Sequence, residues 1–246
     1  MIARRAFLSV VATEPVGPYT MLRVRRGDID PGVPGQFFML GGSTVLPRPM
    51  SLCAAPSGEL AFLIDPIGAG TRELCALELG SQLAVTGPLG RGYHLDAERP
   101  ILVGGGIGVA PLPYLAKALP AAPIVLGFRT RFHAEAASLL PGAEVVIDPV
   151  LVTEPLARRL AERGGTPLAC GPEPMLAAVG ALSPAAQLAL EAPMGCGHGG
   201  CYGCVVDVDG ARKRLCVEGP VIEAGRFLAS EPGTLPRAAE PTECAA

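Results

Sequence analysis

The chain is short of three things, and each shortage excludes a class of function. It has no excess of positive charge: 20 Lys and Arg stand against 23 Asp and Glu, a net of −3, so the basic footprint of a nucleic-acid binder is missing. It has only three histidines, His94, His133 and His198. The first two have no partner at ligand or catalytic spacing and read as structural or exposed. No Ser/His/Asp set and no carboxylate pair argues for hydrolysis. Third, despite 49% hydrophobic residues and a mean hydropathy of +0.39, it has no long uninterrupted apolar run. The longest, Ile101 to Ala116, is broken by Gly104, Gly105, Gly106, Gly108, Pro111 and Pro113. It reads as a buried strand feeding a glycine-rich turn, not as a membrane span. The N-terminus starts basic but soon meets Glu14 without a clean cleavage site, so a first strand is expected there. The chain is expected to be cytoplasmic, with its thiols reduced.

What is present is a cysteine loop. Cys196-Gly-His-Gly-Gly-Cys201-Tyr-Gly-Cys204, followed by Cys216, has the C-x4-C-x2-C…C spacing of a plant-type [2Fe–2S] cluster. The glycines allow a tight loop whose backbone N–H groups can point at the sulfurs. A four-cysteine zinc site is the competing reading, although zinc ribbons normally pair two C-x2-C knuckles. His198 sits inside the loop and is expected to play an outer-shell part, since four cysteines complete the ligand set. The other cysteines, Cys53, Cys75, Cys170 and Cys244, are scattered and do not suggest a disulfide framework.

The chain divides by rhythm. Residues 1–97 read as short strands (Phe7–Ala12, Tyr19–Arg25, Gln36–Leu40, Met50–Ala54, Leu60–Asp65, Gln82–Thr86) between Gly/Pro turns, an antiparallel β barrel with one helical interruption at Thr71–Leu79. Leu22 and Val24 alternate with Arg23 and Arg25, the pattern of a half-buried strand. Residues 98–191 alternate strands (Ile101–Val103, Ile124–Gly127, Val145–Ile147, Leu168–Cys170, Leu188–Leu190) with helices, which predicts a doubly wound parallel sheet. Within it Thr153 is expected to cap a helix running to Arg163, and Pro172 to stand where another begins. Residues 192–228 form the cysteine module, and 229–246 is a Pro/Ala/Glu tail expected to be disordered.

Several shorter motifs are ambiguous when taken singly. Gly104-Gly105-Gly106-Ile107-Gly108 follows a strand and opens a helix, where backbone can approach a pyrophosphate; a tight structural turn is the alternative. Arg48-Pro49-Met50-Ser51 and Gly68-Ala69-Gly70-Thr71 are candidate phosphate or ring contacts, or else a surface arginine and a bare turn. Cys170-Gly171-Pro172 ends a later strand, on the edge where open α/β sheets bind ligands; a buried inert cysteine is the plain reading. Arg129 and Arg131 follow the second α/β strand, where cations could meet a 2′-phosphate, or they are solvated loop charges.

The order of these motifs is more specific than any one of them. R-P-x-S, G-x-G-T, G-G-G-I-G-V-A-P, L-G-F-R, C-G-P and then the cysteine loop resembles the ferredoxin–NADP reductase superfamily. The terminal cysteine module makes residues 1–228 similar to the electron-transfer subunits of dihydroorotate dehydrogenase B. That resemblance implies FAD on the barrel, lined by Arg48, Pro49, Met50 and Ser51. Leu63, Ile64 and Asp65, then Gly70 and Thr71, would hold its ribityl and pyrophosphate region. It implies NAD, with NADP not excluded, facing Gly105, Gly106 and Gly108, and Cys170 near the hydride-transfer point. Cys196, Cys201, Cys204 and Cys216 would bind the cluster. It further implies an FMN-containing catalytic partner in a heterotetramer that oxidises dihydroorotate to orotate for pyrimidine biosynthesis, with electrons passing through the cluster and FAD to NAD+. A related reductase serving a hydrogenase, a ferredoxin:NADP oxidoreductase or an oxygenase would carry nearly the same motifs. A zinc-stabilised nucleotide-binding protein is the third reading.

Overall fold

In the computed structural model, residues 3–41, 46–208 and 210–226 are described. The tail expected at 229–246, with Cys244, lies outside them. The N-terminal strands are β1 (Arg4–Val16), β2 (Tyr19–Arg25), β3 (Phe37–Gly41), β4 (Arg48–Ser51), β5 (Glu59–Ile64) and β6 (Gln82–Leu89), with α1 (Ala69–Cys75) between β5 and β6. They pair antiparallel in the order β4-β3-β6-β1-β2-β5. Beyond β4 the chain crosses to β5, where Ala54 and Ala61 exchange backbone hydrogen bonds of 2.8 and 3.3 Å. That link closes the sheet into a barrel and removes its edges.

Alternation along these strands fills two compartments at once. On β2, Leu22 and Val24 point into the barrel core while Tyr19 and Met21 join the cluster that faces the next unit. On β5, Leu60, Phe62 and Ile64 point inward, and Ala61 and Leu63 outward. Phe38 and Phe62 meet edge to face at 5.6 Å in the barrel centre, the arrangement their ring quadrupoles favour. The strand expected to be half-buried is thus covered on both faces at Tyr19 and Met21.

The second unit holds β7 (Pro100–Gly105), α2 (Leu112–Ala118), β8 (Ile124–Phe128), β9 (Glu144–Ile147), α3 (Thr153–Arg163), β10 (Thr166–Cys170), α4 (Glu173–Leu182) and β11 (Gln187–Ala189). The cysteine module follows with β12 (Val205–Val208), β13 (Ala211–Arg214), α5 (Leu215–Glu218) and β14 (Val221–Glu223). The large sheet runs β14-β11-β10-β7-β8-β9. Ile101, Val103 and Val125 pack with Leu156, Leu176 and Val179 of α3 and α4; Leu102, Leu126 and Leu168 pack with Leu112 and Leu115 of α2. Helices on both faces make the sheet doubly wound, and its order reverses beside β7, between β8 and β10.

Besides strand ends that run on (β1 to Arg4–Val16, β6 to Leu89), four details differ from the sequence expectation for reasons visible in the packing. The sheet has a sixth strand, β14, antiparallel to β11, because the cysteine module returns to cover the edge that β11 would otherwise leave open. The first helix spans Ala69–Cys75 and not Thr71–Leu79, because the Thr71 hydroxyl accepts from Gly68 N–H at 3.0 Å and closes the first turn earlier. Thr153 is the first helical residue and not the cap; Glu154 reaches back to accept from Leu151 N–H at 3.2 Å. The fourth strand ends at Ser51 and not Ala54, since Leu52–Ala54 has already turned toward β5.

Candidate functional site

The cysteine loop folds as its glycines require. Gly197 and Gly199 have φ of +77° and +86°, and a Cβ on them would come within 2.9 Å of Met39 Sδ and 2.8 Å of Val217 Cγ2 respectively. Only glycine supplies both the left-handed backbone and the clearance. The loop brings the four thiols together as two pairs. Cys201 N–H donates to Cys196 Sγ at 3.4 Å, and the Cys204 and Cys216 sulfurs are 3.2 Å apart. Leu215 N–H donates to the Cys204 carbonyl at 3.0 Å, which seats α5 and Cys216 on the loop. Arg214 clasps the module: its guanidinium meets Glu218 at 2.9 Å, the Gly199 carbonyl at 3.4 Å and the Tyr202 ring at 5.5 Å.

Electrostatics at the thiols follow from this packing. Burial raises the Cys196 thiol, but backbone N–H groups of His198, Cys201 and Gly200 outweigh it and bring the pKa to about 6. Burial, then the adjacent Cys204 thiol, pushes Cys216 up to about 12. Of the four, Cys204 and Cys216 are buried, Cys196 is half-buried and Cys201 is exposed. Among the described residues no three Cys, His, Asp or Glu side chains gather as a single metal ion would require. Four thiols at this spacing are the donor set that a [2Fe–2S] cluster would use. His198 contributes its main-chain N–H, while its side chain is exposed.

On the barrel, strand β4 presents Arg48, Pro49, Met50 and Ser51, all half-buried. The Arg48 guanidinium lies over Gly70 of α1, where a Cβ would crowd Nη2 at 2.9 Å and Cζ at 3.0 Å. Two motifs far apart in sequence, R-P-x-S and G-x-G-T, therefore share one cradle of a cation and a glycine turn. Ile64 fills the barrel core and Leu63 the adjoining cluster. Asp65 faces elsewhere, into a cavity between the barrel and the parallel sheet.

That cavity has a volume of about 630 Å³ and lies at the carboxyl ends of the parallel strands. Gly105, Gly106 and Ile107 line it at the end of β7, Phe128 and Arg129 at the end of β8, Asp148 just beyond β9, Pro172 and Met175 beyond β10. Tyr19 and Asp65 form its barrel wall. Burial pushes the Tyr19 phenol up to about 12, Asp65 adding to the effect and Arg129 opposing it. Burial likewise raises the Asp65 carboxyl, against His133. His133, expected to be structural or exposed, lines the cavity, bonded to the Thr130 hydroxyl at 2.8 Å and edge-on to Tyr19 at 6.0 Å.

Two expected residues sit differently from the rest. Gly108 does not line the cavity; it packs against the Cys170 carbonyl and Gly171, so its missing side chain serves close approach of the turn to β10. Cys170 is 5% exposed, in the cluster with Tyr93 and Leu168, and burial drives its thiol far up. Tyr19, Asp148 and Met175 carried no motif in the sequence; only the topology brings them to one edge.

Comparison with known proteins agrees with this geometry. The family of iron–sulfur cluster binding domains of dihydroorotate dehydrogenase B matches residues 191–228. The chain is 37% identical over 217 residues to the electron transfer subunit of dihydroorotate dehydrogenase B (NAD(+)) from Caldanaerobacter subterraneus subsp. tengcongensis, covering 79% of this chain and 87% of that one. It is 32% identical over 218 residues to the subunit of that name from Clostridium acetobutylicum, covering 80% and 85%. In fold it is similar to the NADH-dependent reduced ferredoxin–NADP oxidoreductase, with a TM-score of 0.74 at 23% identity over 90% of this chain and 89% of that chain. It also resembles an Amycolatopsis cytochrome P450 reductase, with a TM-score of 0.61 at 24% identity over 73% and 65%. The match to an iron–sulfur domain decides against the zinc reading.

Proposed function

Because the chain belongs to the family of electron-transfer subunits of dihydroorotate dehydrogenase B, we propose a division of labour among its parts. It is an oxidoreductase component that works with a catalytic partner subunit. Residues 1–97 hold FAD, with Arg48 and the Gly70–Thr71 turn at its pyrophosphate, Pro49, Met50 and Ser51 along the ring, and the backbone of Leu63–Asp65 beside the ribityl chain. Residues 98–191 hold NAD, with Gly105 and Gly106 at the phosphates, Gly108 packing the turn beneath them, and Cys170 shaping the floor where β10 ends. Residues 192–228 hold a [2Fe–2S] cluster through Cys196, Cys201, Cys204 and Cys216. The partner carries FMN, oxidises dihydroorotate to orotate, and assembles with this chain as a cytoplasmic heterotetramer.

A nicotinamide exchanges hydride, two electrons together, while an iron–sulfur cluster exchanges one, and flavin does either. The protein's own residues have no acid–base step to perform. They fix distances, exclude water and balance charge: the Arg48 guanidinium faces phosphate, and backbone N–H groups face thiolate sulfur.

The observation that carries the reading is the seat of the cysteine loop. Gly197 packs on Met39 of β3, and Met39 is the ladder partner of Pro49 in β4. The cluster loop and the strand that presents Arg48–Ser51 are thus separated by one strand's width. The test is to purify the chain from its host with its co-purifying subunit and to assay NAD+ reduction by dihydroorotate. An FMN-containing partner and dihydroorotate-dependent NADH formation are expected. The chain alone should reduce dyes with NADH but not oxidise dihydroorotate. A different partner, with no dihydroorotate-dependent activity, overturns the assignment.

A further inference from the structure

The four cysteines reach the site from two pieces of chain, and one residue ties those pieces together. Cys196, Cys201 and Cys204 belong to the glycine loop, whereas Cys216 stands on α5, after the β12–β13 hairpin. Arg214, the last residue of β13, spans the gap. Its Nη1 donates to the Gly199 carbonyl in the loop at 3.4 Å, and its guanidinium lies 5.5 Å from the centre of the Tyr202 ring. On the other side Nη2 donates to Glu218 Oε1 at 2.9 Å, and the Arg214 backbone N–H donates to Glu218 Oε2 at 2.7 Å. Glu218 ends the same short helix that carries Cys216.

The loop is shaped to this clasp. Tyr202 has φ of +58°, a left-handed backbone that a bulky residue keeps only where its surroundings hold it. Its side chain is exposed, so burial does not supply the hold; the guanidinium over its ring does. Gly199, at φ of +86°, leaves room for the same group, since a Cβ there would come within 3.2 Å of Arg214 Nη1. The guanidinium therefore stands between the loop and the carboxylate. Two opposite charges are fixed beside the thiols, with the cation on the loop side. Glu218 does most to keep Arg214 charged, and Tyr202 and the Cys216 thiol add to it.

An electron added to a group held by four thiolates adds negative charge. A nearby cation favours the reduced form and a nearby carboxylate the oxidised one. Cys201 is exposed, so water and salt screen charges farther off, and a pair fixed this close is screened least. We propose that Arg214 is a positioning residue for the cysteine site and that its pairing with Glu218 sets the reduction potential there: the guanidinium raises the potential, and the carboxylate offsets part of that effect. The inference rests on the cysteine module holding a [2Fe–2S] cluster.

The test uses the full chain with flavin and cluster bound, and follows cluster reduction by electron paramagnetic resonance during a redox titration. Arg214→Gln should shift the midpoint to lower potential, since it removes the cation and leaves Glu218 unpaired. Glu218→Gln should shift it to higher potential, since the guanidinium is then uncompensated while it still reaches Gly199 and Tyr202. The double variant should fall between the two. Arg214→Lys should keep most of the potential, because the charge stays. It should release iron to a chelator faster than wild type, because an ammonium does not span three partners as a planar fork does. A merely structural role would not give opposite signs, since loosening the loop moves both single variants the same way. Shifts of one sign in both, or no shift in Glu218→Gln, overturn the proposal. If Arg214→Gln holds no cluster, the direction of the Glu218→Gln shift decides; loss of the cluster there too makes the pair a structural brace and overturns the proposal. A wild type with no cluster signal overturns the assignment of the module itself, and the proposal with it.

Discussion

Gly70→Ala should separate flavin binding from stability, because its two effects have opposite signs. Gly70 is the second residue of α1 and lies within a regular helical turn. Replacing glycine by alanine inside a helix favours folding by up to about 1 kcal/mol, since less backbone freedom is lost. The new methyl group, however, would stand 2.9 Å from Arg48 Nη2 and 3.0 Å from Cζ, closer than carbon and nitrogen tolerate. The guanidinium is the end of a flexible side chain, so it moves aside and the fold is spared. What is lost is its aim at a phosphate. A hydrogen bond to a charged group is worth about 1.5–3 kcal/mol, which corresponds to roughly 10- to 100-fold in Kd. The assay is FAD titration of deflavinated protein by flavin fluorescence, with thermal unfolding of the apoprotein beside it. Apoprotein Tm should be equal or higher and FAD affinity at least about tenfold weaker. The effect should also fail to add to that of Arg48→Ala, since both act through one group. FAD binding within about twofold of wild type, far short of the tenfold expected, or full additivity with Arg48→Ala, would refute the shared cradle.

Three further outcomes follow from the packing and charge. Cys201→Ser should abolish the visible spectrum of the cluster while FAD stays bound; full electron transfer from NADH to the partner subunit in that variant would sink the proposed route. Phe38→Ala, at a residue 0% exposed and edge-on to Phe62, should cost about 3–5 kcal/mol in urea unfolding, and an unchanged midpoint would contradict the barrel core. Hydrogen bonds from Arg158 and then Arg159 hold the Glu144 carboxyl below its usual 4.5. Its folded pKa is depressed, so its contribution is present above the unfolded value and lost as pH falls through the folded one. Glu144→Gln should therefore destabilise the protein at neutral pH, with the gap to wild type closing as the pH drops below about 4.5; a gap that widens in acid reverses the sign and the argument.

Most of this architecture was legible because its signals are local. Cysteine spacing survives any arrangement of the rest of the chain, and alternation at Leu22 and Val24 or along Ile101–Val103 states which faces are buried. The element ends moved by a few residues where side chains or partners intervened: Thr71 closing the turn at Gly68, Val152 taking the cap position in place of Thr153 while Glu154 bonds back to Leu151, Leu52–Ala54 drawn off to β5. The sixth strand of the large sheet was invisible, since Val221–Glu223 is three residues long and gains its identity only by lying on β11. The cavity was legible in part. Gly105 and Gly106 announce themselves as a turn, but Tyr19, Asp148 and Met175 look like ordinary strand, turn and helix residues until the topology brings four strand ends and a barrel strand to one rim.

The weak motifs acquire meaning from a shared register more than from their individual chemistry. Strand β3 shows why. Phe38 and Leu40 point into the barrel, while Phe37 and Met39 join the core that holds Cys204 and Cys216. The same strand pairs with β4, which carries Arg48–Ser51. A slip of one residue would exchange the two faces. Phe38 would leave the barrel, and Met39 would withdraw from Gly197. Every motif would remain intact in sequence, yet the cysteine loop would lose its seat beside the strand proposed to line the flavin. The barrel's hydrophobic pattern therefore fixes more than its own stability: by deciding which residue of β3 faces outward, it also fixes where the four thiols stand relative to Arg48 and Ser51.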